Sequence, residues 1–153
     1  MNKKPDFDLE AAHRYFSAHC FNSAWDLIDK IERTLEEDER MIQLNQASTW
    51  HWSQRDDCSD KNLSVGYWQA ARIRALLGQA DEARRYGQLS LQYSENLEPF
   101  YQGYAYEALA RAEQVAGNMV RVREYAAAAH RLAEQVSDAD DRKLLMDDLA
   151  GFD

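Results

Sequence analysis

Histidine and cysteine side chains, which are ligands of zinc and other transition metals, are concentrated in the first 58 residues. The five are His13, His19, Cys20, His51 and Cys58. On a helix, His13 and Cys20 share a face because they are seven residues apart, whereas His19 lies about 120° from both. No HExxH or CxxC motif accompanies them, and a tetrahedral site would need the 53–62 segment to fold back over the first helix. These side chains are interpreted either as ordinary core and surface residues or as donors in a pocket, and no metal ligand is assigned.

The segment TWHWSQRDDC, residues 49–58, is a dense group of aromatic and polar side chains. Trp50 and Trp52 point about 200° apart on a helix, so they cannot share one narrow buried stripe. Either this helix is covered on both sides, or one indole faces a groove and anchors a peptide side chain or a flat ligand. The second interpretation predicts a small-molecule- or metal-binding pocket near the first, third and fourth predicted helices. Its residues would be His13, Trp50, His51 and Cys58.

The sequence contains no motif that points to catalysis. It has no GxSxG nucleophile elbow, no phosphate-binding glycine loop and no dinucleotide-binding fingerprint. Carboxylates occur in every part of the chain, so none is singled out as a general acid or base. We therefore assign no catalytic residue and no cofactor, and we do not expect an enzyme.

Composition restricts the kind of partner. The net charge is -9, from 27 acidic and 18 basic side chains, which argues against binding to nucleic acid or to an anionic membrane. The two cysteines show no repeated spacing, and no run approaches the ~20 apolar residues of a membrane span. The sequence predicts a cytoplasmic protein whose partner is a protein or a peptide.

Glycine and proline divide the chain into helical segments. Only six glycines and two prolines occur, and the segments between them have the 3.6-residue periodicity of amphipathic helices. The predicted fold is all-α, an α-α superhelix of about seven to eight antiparallel helices in one domain of residues 1–153. It comprises an irregular half (6–54), regular repeats (61–136) and a C-terminal capping helix (138–150). The first predicted helix spans about 8–19, the second starts at 23, and the third starts at 35 after a Thr34 and Glu37 capping box. The fourth ends at 77, the fifth spans 80–94, and the sixth spans 99–116. The seventh starts at 119, and the eighth runs from a Ser137 cap to about 150.

A passage occurs twice in the C-terminal part. AARIRALLG ends at Gly78 and LARAEQVAG ends at Gly117, 39 residues later. Each copy carries an Ala-Arg pair six residues before its glycine, at Arg72 and Arg111. A fixed period of this size is typical of stacked helical hairpins, in which neighbouring copies bury one another's faces.

The turn glycine and the small residues around it resemble tetratricopeptide repeats. Positions eight and twenty of that repeat, where two helices approach closely, are Ala71 and Ala83 in one copy and Ala110 and Val122 in the next. A fainter copy has Ala12 and Ala24, with Phe21 in the turn. The resemblance covers residues 6–33 and 64–136. The sequence departs from the family in its 39-residue period and in having Gly87 and Ala126 at the twenty-fourth position. It is also similar to small bacterial proteins of this type, a resemblance that implies no activity.

The resemblance implies a concave wall that binds a partner. Carried over by position, the wall residues are His13, Trp68, Arg72, Tyr104, Glu107 and Arg111. Position nine is His13, Arg72 or Arg111 in the three copies. Such a row of basic or potentially basic side chains would favour a carboxylate-bearing peptide, because guanidinium groups bind carboxylates through paired hydrogen bonds. Alternatively, the two arginines pair with Glu82, Glu107 or Glu113 of the chain itself. The terminal helix, with Leu144, Leu145, Met146 and Leu149, either caps the repeats or mediates self-association.

Overall fold

The computed structural model describes residues 3–152, so Met1, Asn2 and Asp153 of the predicted 1–153 domain lie outside the described residues. Residues 3–152 form helices and connecting turns without any β-strand, which confirms the all-α prediction. Within them, no helix combines the length and the apolar character needed to cross a membrane. The helices are α1 (Leu9–Ile28), α2 (Leu35–Ser53), α3 (Asp60–Leu76), α4 (Ala80–Ser94), α5 (Pro99–Ala116), α6 (Met119–Ala133) and α7 (Ala139–Leu149), followed by a 3-10 turn (Ala150–Phe152).

The chain divides into two compact units, one ending at Ser59 and the other beginning at Asp60. Unit 1 contains α1 and α2, and unit 2 contains α3 to α7. In each unit, helices that are consecutive in sequence pack against each other. The α-α superhelix and the single domain stay predictions.

Unit 1 corrects the sequence analysis at its first two helices. The predicted break between residues 19 and 23 is wrong: α1 runs through it, and Phe21, expected in a turn, lies inside the helix. A break in a helix costs backbone hydrogen bonds. No glycine or proline interrupts α1, so no residue in it favours a break. Its buried stripe is also continuous, since it consists of His13, Ser17, Cys20, Ala24 and Ile28 at spacings of three and four.

The α2 helix begins as its sequence predicts. The Thr34 hydroxyl accepts a hydrogen bond from Glu37 N at 3.2 Å, and the Glu37 carboxylate accepts one from Thr34 N at 3.0 Å. This reciprocal capping box satisfies two amides that a helix start leaves without intrahelical partners. The Ser48 hydroxyl then joins α2 to α1 by donating to Ser17 O at 2.7 Å.

Unit 2 contains two helical hairpins of matching geometry, α3 with α4 and α5 with α6. Their turns place Gly78 at φ 72° and Gly117 at φ 76°, the left-handed conformation that glycine adopts without a Cβ clash. The ring centroids of Tyr67 and Tyr86 are 6.1 Å apart in the first hairpin, and those of Tyr106 and Tyr125 are 6.1 Å apart in the second. The 39-residue period of the sequence is therefore a period of the structure.

The C-terminal helix packs on the second hairpin. Its start differs by one residue from the prediction, because the Asp138 carboxylate, and not Ser137, caps it by accepting from Asp140 N at 3.0 Å and Asp141 N at 2.9 Å. Leu145 and Leu149 of α7 are fully buried in a core with Tyr104, Ala129 and Ala133. The α7 helix thus covers one face of α5 and α6.

Candidate functional site

Five of the six predicted wall residues lie together in unit 2. Trp68 and Arg72 are one turn apart on α3, and Tyr104, Glu107 and Arg111 follow one face of α5. The two helices pack against each other, so equivalent positions of the two repeats become neighbours. The sixth residue, His13, belongs to unit 1.

The Glu107 carboxylate is the centre of a buried polar network. The Trp68 indole donates from Nε1 to Glu107 Oε2 at 3.1 Å, and Arg111 Nε donates to Glu107 Oε1. Arg72 Nη2 lies 3.6 Å from Oε1 of the same carboxylate. The Glu107 side chain is fully buried, and a carboxylate removed from water needs partners of this kind.

The second carboxylate comes from α7. The Tyr104 hydroxyl donates to Asp148 Oδ2 at 2.7 Å, while Asp148 Oδ1 lies 3.9 Å from Arg72 Nη2 and 4.0 Å from Arg111 Nη2. Burial, and then the hydrogen bond to Asp148, raises the pKa of Tyr104. Phe152, in the terminal 3-10 turn, has its ring 5.5 Å from the Arg111 guanidinium carbon.

The positive charges of the two guanidinium groups and the negative charges of the two carboxylates therefore balance within the chain. Of the two alternatives for Arg72 and Arg111, the structure contains the intramolecular pairing, with Glu107 as one partner and Asp148 as the other. The other two glutamates that were possible partners of Arg72 and Arg111 pair with different arginines: Glu113 binds Arg84, and Glu82 binds Arg85.

A cavity of about 190 Å³ lies beside this network. It is lined by Ser64, Val65, Trp68, Ser90, Phe100, Tyr101, Tyr104 and Leu144. The aromatic rings pack edge to face, with centroids 5.1 Å apart for Trp68 and Tyr104, 5.1 Å for Phe100 and Tyr104, and 5.3 Å for Phe100 and Tyr101. This arrangement favours a firm wall, since T-shaped aromatic pairs contribute beyond their buried area.

The polar atoms of the lining are used within the wall. Ser64 Oγ donates to Ser90 O at 3.0 Å, and Ser90 Oγ donates to Ser64 O at 2.9 Å. The Lys61 ammonium lies 5.0 Å from the centre of the ring of Tyr101, a lining residue, and its hydrogen bond to Tyr101 raises the pKa of Lys61. The cavity thus offers an occupant mainly apolar and aromatic surface.

Comparison of this chain with protein-family models, with curated proteins and with solved structures finds no match. Function is therefore inferred from the geometry of the chain itself.

The alternative pocket of the sequence analysis lies partly assembled in unit 1. His13 Nδ1 and His51 Nδ1 are 2.8 Å apart, and the Trp50 ring centroid lies 5.5 Å from that of His13 and 4.9 Å from that of His51. Trp50 is 56% exposed, so the interpretation in which the helix is covered on both sides is wrong for this indole. Cys58 lies beyond α2, where its amide donates to Arg55 O at 3.2 Å.

Burial, followed by the charge of His13, lowers the pKa of His51. Among residues 3–152, no three histidine, cysteine, aspartate or glutamate side chains are grouped so that they could hold a metal ion. The fourth predicted helix, which was expected to complete this pocket, is α3 and belongs to unit 2.

The sequence analysis missed several residues of the unit 2 site. They are Phe100, Tyr101, Leu144, Asp148 and Phe152. Phe100 and Tyr101 follow Pro99 at the start of α5, one turn before Tyr104, and that spacing could have indicated a shared face. Nothing comparable marks Asp148, which is one of several aspartates in the last helix and meets Tyr104 across 44 residues of sequence.

Proposed function

We propose that unit 2 is a protein- or peptide-interaction module that holds one large apolar side chain of its partner in the cavity between Trp68, Phe100 and Tyr104. The proposal keeps the tetratricopeptide-like interpretation of α3 to α6 and a cytoplasmic setting, and it includes no catalytic step. The observation that carries it is the aromatic cavity itself.

The size of the cavity favours a side chain over a metabolite. Pockets for drug-sized molecules usually enclose roughly 300–1,000 Å³, whereas this cavity measures about 190 Å³. Leucine, phenylalanine and methionine side chains suit such a volume, and burying one of them contributes about 1.5–3 kcal/mol. A partner that presents one such residue from an extended or helical segment fits the site.

The chemistry of the wall also favours a neutral apolar group. Cations already lie near two of the rings, since Lys61 is 5.0 Å from the centre of Tyr101 and the Arg72 guanidinium is 5.7 Å from that of Trp68. A cationic ligand would be repelled by them. Because the hydroxyls of Ser64 and Ser90 donate to backbone carbonyls, a strongly polar ligand would lose its hydration without full compensation.

The polar network gives the wall its rigidity. Trp68 is held through its indole by Glu107, and Tyr104 is held through its hydroxyl by Asp148. Side chains that are already ordered lose little entropy when a partner binds. In this proposal Arg72 and Arg111 balance the charges of Glu107 and Asp148 and do not bind a partner carboxylate.

Selection of peptides from a random library on the full-length protein tests the proposal. We expect enrichment of sequences with one invariant large apolar residue. In ¹H–¹⁵N spectra, a selected peptide should shift the Trp68 indole resonance, while those of Trp25, Trp50 and Trp52 serve as internal references.

Two matched variants locate the binding site. Leu144 is 54% exposed at the edge of the cavity, and Leu76 is 44% exposed on α3 without lining it. L144W should fill the cavity and weaken peptide binding at least tenfold, whereas L76W should bind like the wild type. A third variant, Y104F, keeps the ring and loses only the hydrogen bond to Asp148, so it should weaken binding, but less than L144W does.

Selected peptides without a common apolar residue would contradict the proposal. Equal binding by L144W and the wild type would do the same, as would a peptide that shifts other indoles and leaves that of Trp68 in place.

A further inference from the structure

Two histidine rings in unit 1 face each other through their Nδ1 atoms. His13 on α1 and His51 on α2 approach through their Nδ1 atoms, which are 2.8 Å apart, with the ring planes inclined by 53°. In the metal-free protein, one Nδ1 carries a proton and donates it to the lone pair of the other. The two nitrogen atoms thus share a proton across 38 residues of sequence.

Neighbouring rings restrict how the two imidazoles can turn. Phe16 stacks on His51 with ring centroids 5.4 Å apart, and Trp50 meets both histidines edge on. The His13 side chain belongs to the buried stripe of α1. Ordered donors of this kind lose little freedom when they bind an ion.

We propose that His13 and His51 form a two-histidine site for a divalent transition-metal ion of the zinc and copper class, bound through both Nδ1 atoms. This site is independent of the function proposed for unit 2. Neutral imidazole suits zinc, copper and nickel, while magnesium and calcium require oxygen ligands. Water completes the coordination, since the described residues provide no group of three metal-binding side chains.

Binding of an ion requires the two histidine rings to move. With metal–nitrogen bonds of about 2.0–2.1 Å and tetrahedral angles, two ligand nitrogens lie about 3.3 Å apart. The present separation is 2.8 Å, so the rings must part by about 0.5 Å to reach that geometry, and they must also turn so that both Nδ1 lone pairs point at the ion. The ring that carried the Nδ1 proton takes a proton on Nε2 instead, so two neutral rings bind the ion without net release of a proton.

Titration of the tag-free, full-length protein with Zn²⁺ tests the site, with Mg²⁺ as the negative reference. We expect one Zn²⁺ per chain with micromolar affinity, and no binding of Mg²⁺. H13Q and H51Q should each weaken Zn²⁺ binding at least tenfold. The other two histidines supply matched controls, so H19Q and H130Q should bind like the wild type, and so should C58S.

A spectroscopic measurement on the wild type keeps the test independent of whether H13Q folds, because His13 is buried. In ¹H–¹⁵N spectra of the imidazoles, Zn²⁺ should shift the Nδ1 resonances of His13 and His51 and leave those of His19 and His130 unchanged. Absence of binding at millimolar Zn²⁺, binding that survives in the H13Q/H51Q double variant, or a dependence on Cys58 would overturn the proposal.

Discussion

The Trp68 indole donates a hydrogen bond to Glu107 at 3.1 Å, and the two residues occupy the same position in successive repeats, 39 residues apart. An aromatic donor in one copy thus meets an acidic acceptor in the next. Because α3 and α5 stack in register, equivalent positions of the two copies are neighbours. One copy has tryptophan at this position and the other has glutamate, so the two side chains can form a hydrogen bond. This contact fixes one wall of the cavity.

Replacement of Glu107 should destabilise the protein strongly. E107Q removes a fully buried negative charge that Arg111 and Arg72 face, and loss of one partner from a buried ion pair costs about 3 kcal/mol or more. The exposed pair of Arg121 and Glu124 supplies the control, since E124Q should cost less than about 0.5 kcal/mol. Urea unfolding measures both, and equal free energies of unfolding for the two variants would contradict this role.

The two turn glycines should respond alike to substitution. G78A and G117A each place a Cβ on a left-handed backbone in open space, so the cost of about 1–2 kcal/mol comes from the backbone alone. Asparagine at either position should cost less. Gly151 also has open space around it, without a left-handed φ, and G151A should be nearly neutral. Thermal unfolding followed by circular dichroism compares the three, and unequal costs at 78 and 117 would mean that the turns are not equivalent.

Gly103 should report the packing of α7. A Cβ added there would lie 2.6 Å from Leu145 Cδ2, so G103A must push α7 away or force Leu145 into another rotamer. Overpacking of this kind costs about 1–3 kcal/mol. In an L145A background the clash is absent, and the same substitution should then cost much less. A double-mutant cycle from urea unfolding measures the coupling, and strictly additive effects would place α7 elsewhere.

Glu113 should make the free energy of unfolding depend on pH in the acidic range. Its carboxylate accepts from Arg84 Nε at 2.7 Å and from Arg84 Nη2 at 3.2 Å, and this hydrogen bonding lowers the pKa of Glu113. A group whose pKa is lower in the folded state stabilises the fold above its unfolded value of about 4.3, and this contribution is lost as the pH falls through the folded value.

The free energy of unfolding should therefore decrease as the pH falls below about 4.3, and it should decrease less steeply in E113Q. E124Q, which removes an exposed carboxylate, provides the comparison. Parallel pH profiles for E113Q and the wild type would show that the pair with Arg84 does not act in this way.

Local sequence signals determined most helix boundaries. Thr34 with Glu37, Pro99, and the glycines at 78 and 117 act through nearest neighbours on the chain, so their effects can be deduced without a fold. The predicted helix break near residue 21 is wrong, because no glycine or proline interrupts α1 there. Glu107 could also be identified as a possible partner of Arg111, since the two lie one turn apart on α5.

Only the tertiary structure decided what those residues do. Asp148 reaches Tyr104 and the two guanidinium groups because α7 packs on α5 and α6, and no spacing along the chain encodes that approach. The cavity arises in the same way, since its lining comes from α3, α4, α5 and α7. The proximity of His13 to His51 likewise depends on how α1 and α2 pack. Periodicity shows which face of a helix is buried, whereas the partner of that face follows from the packing of whole helices.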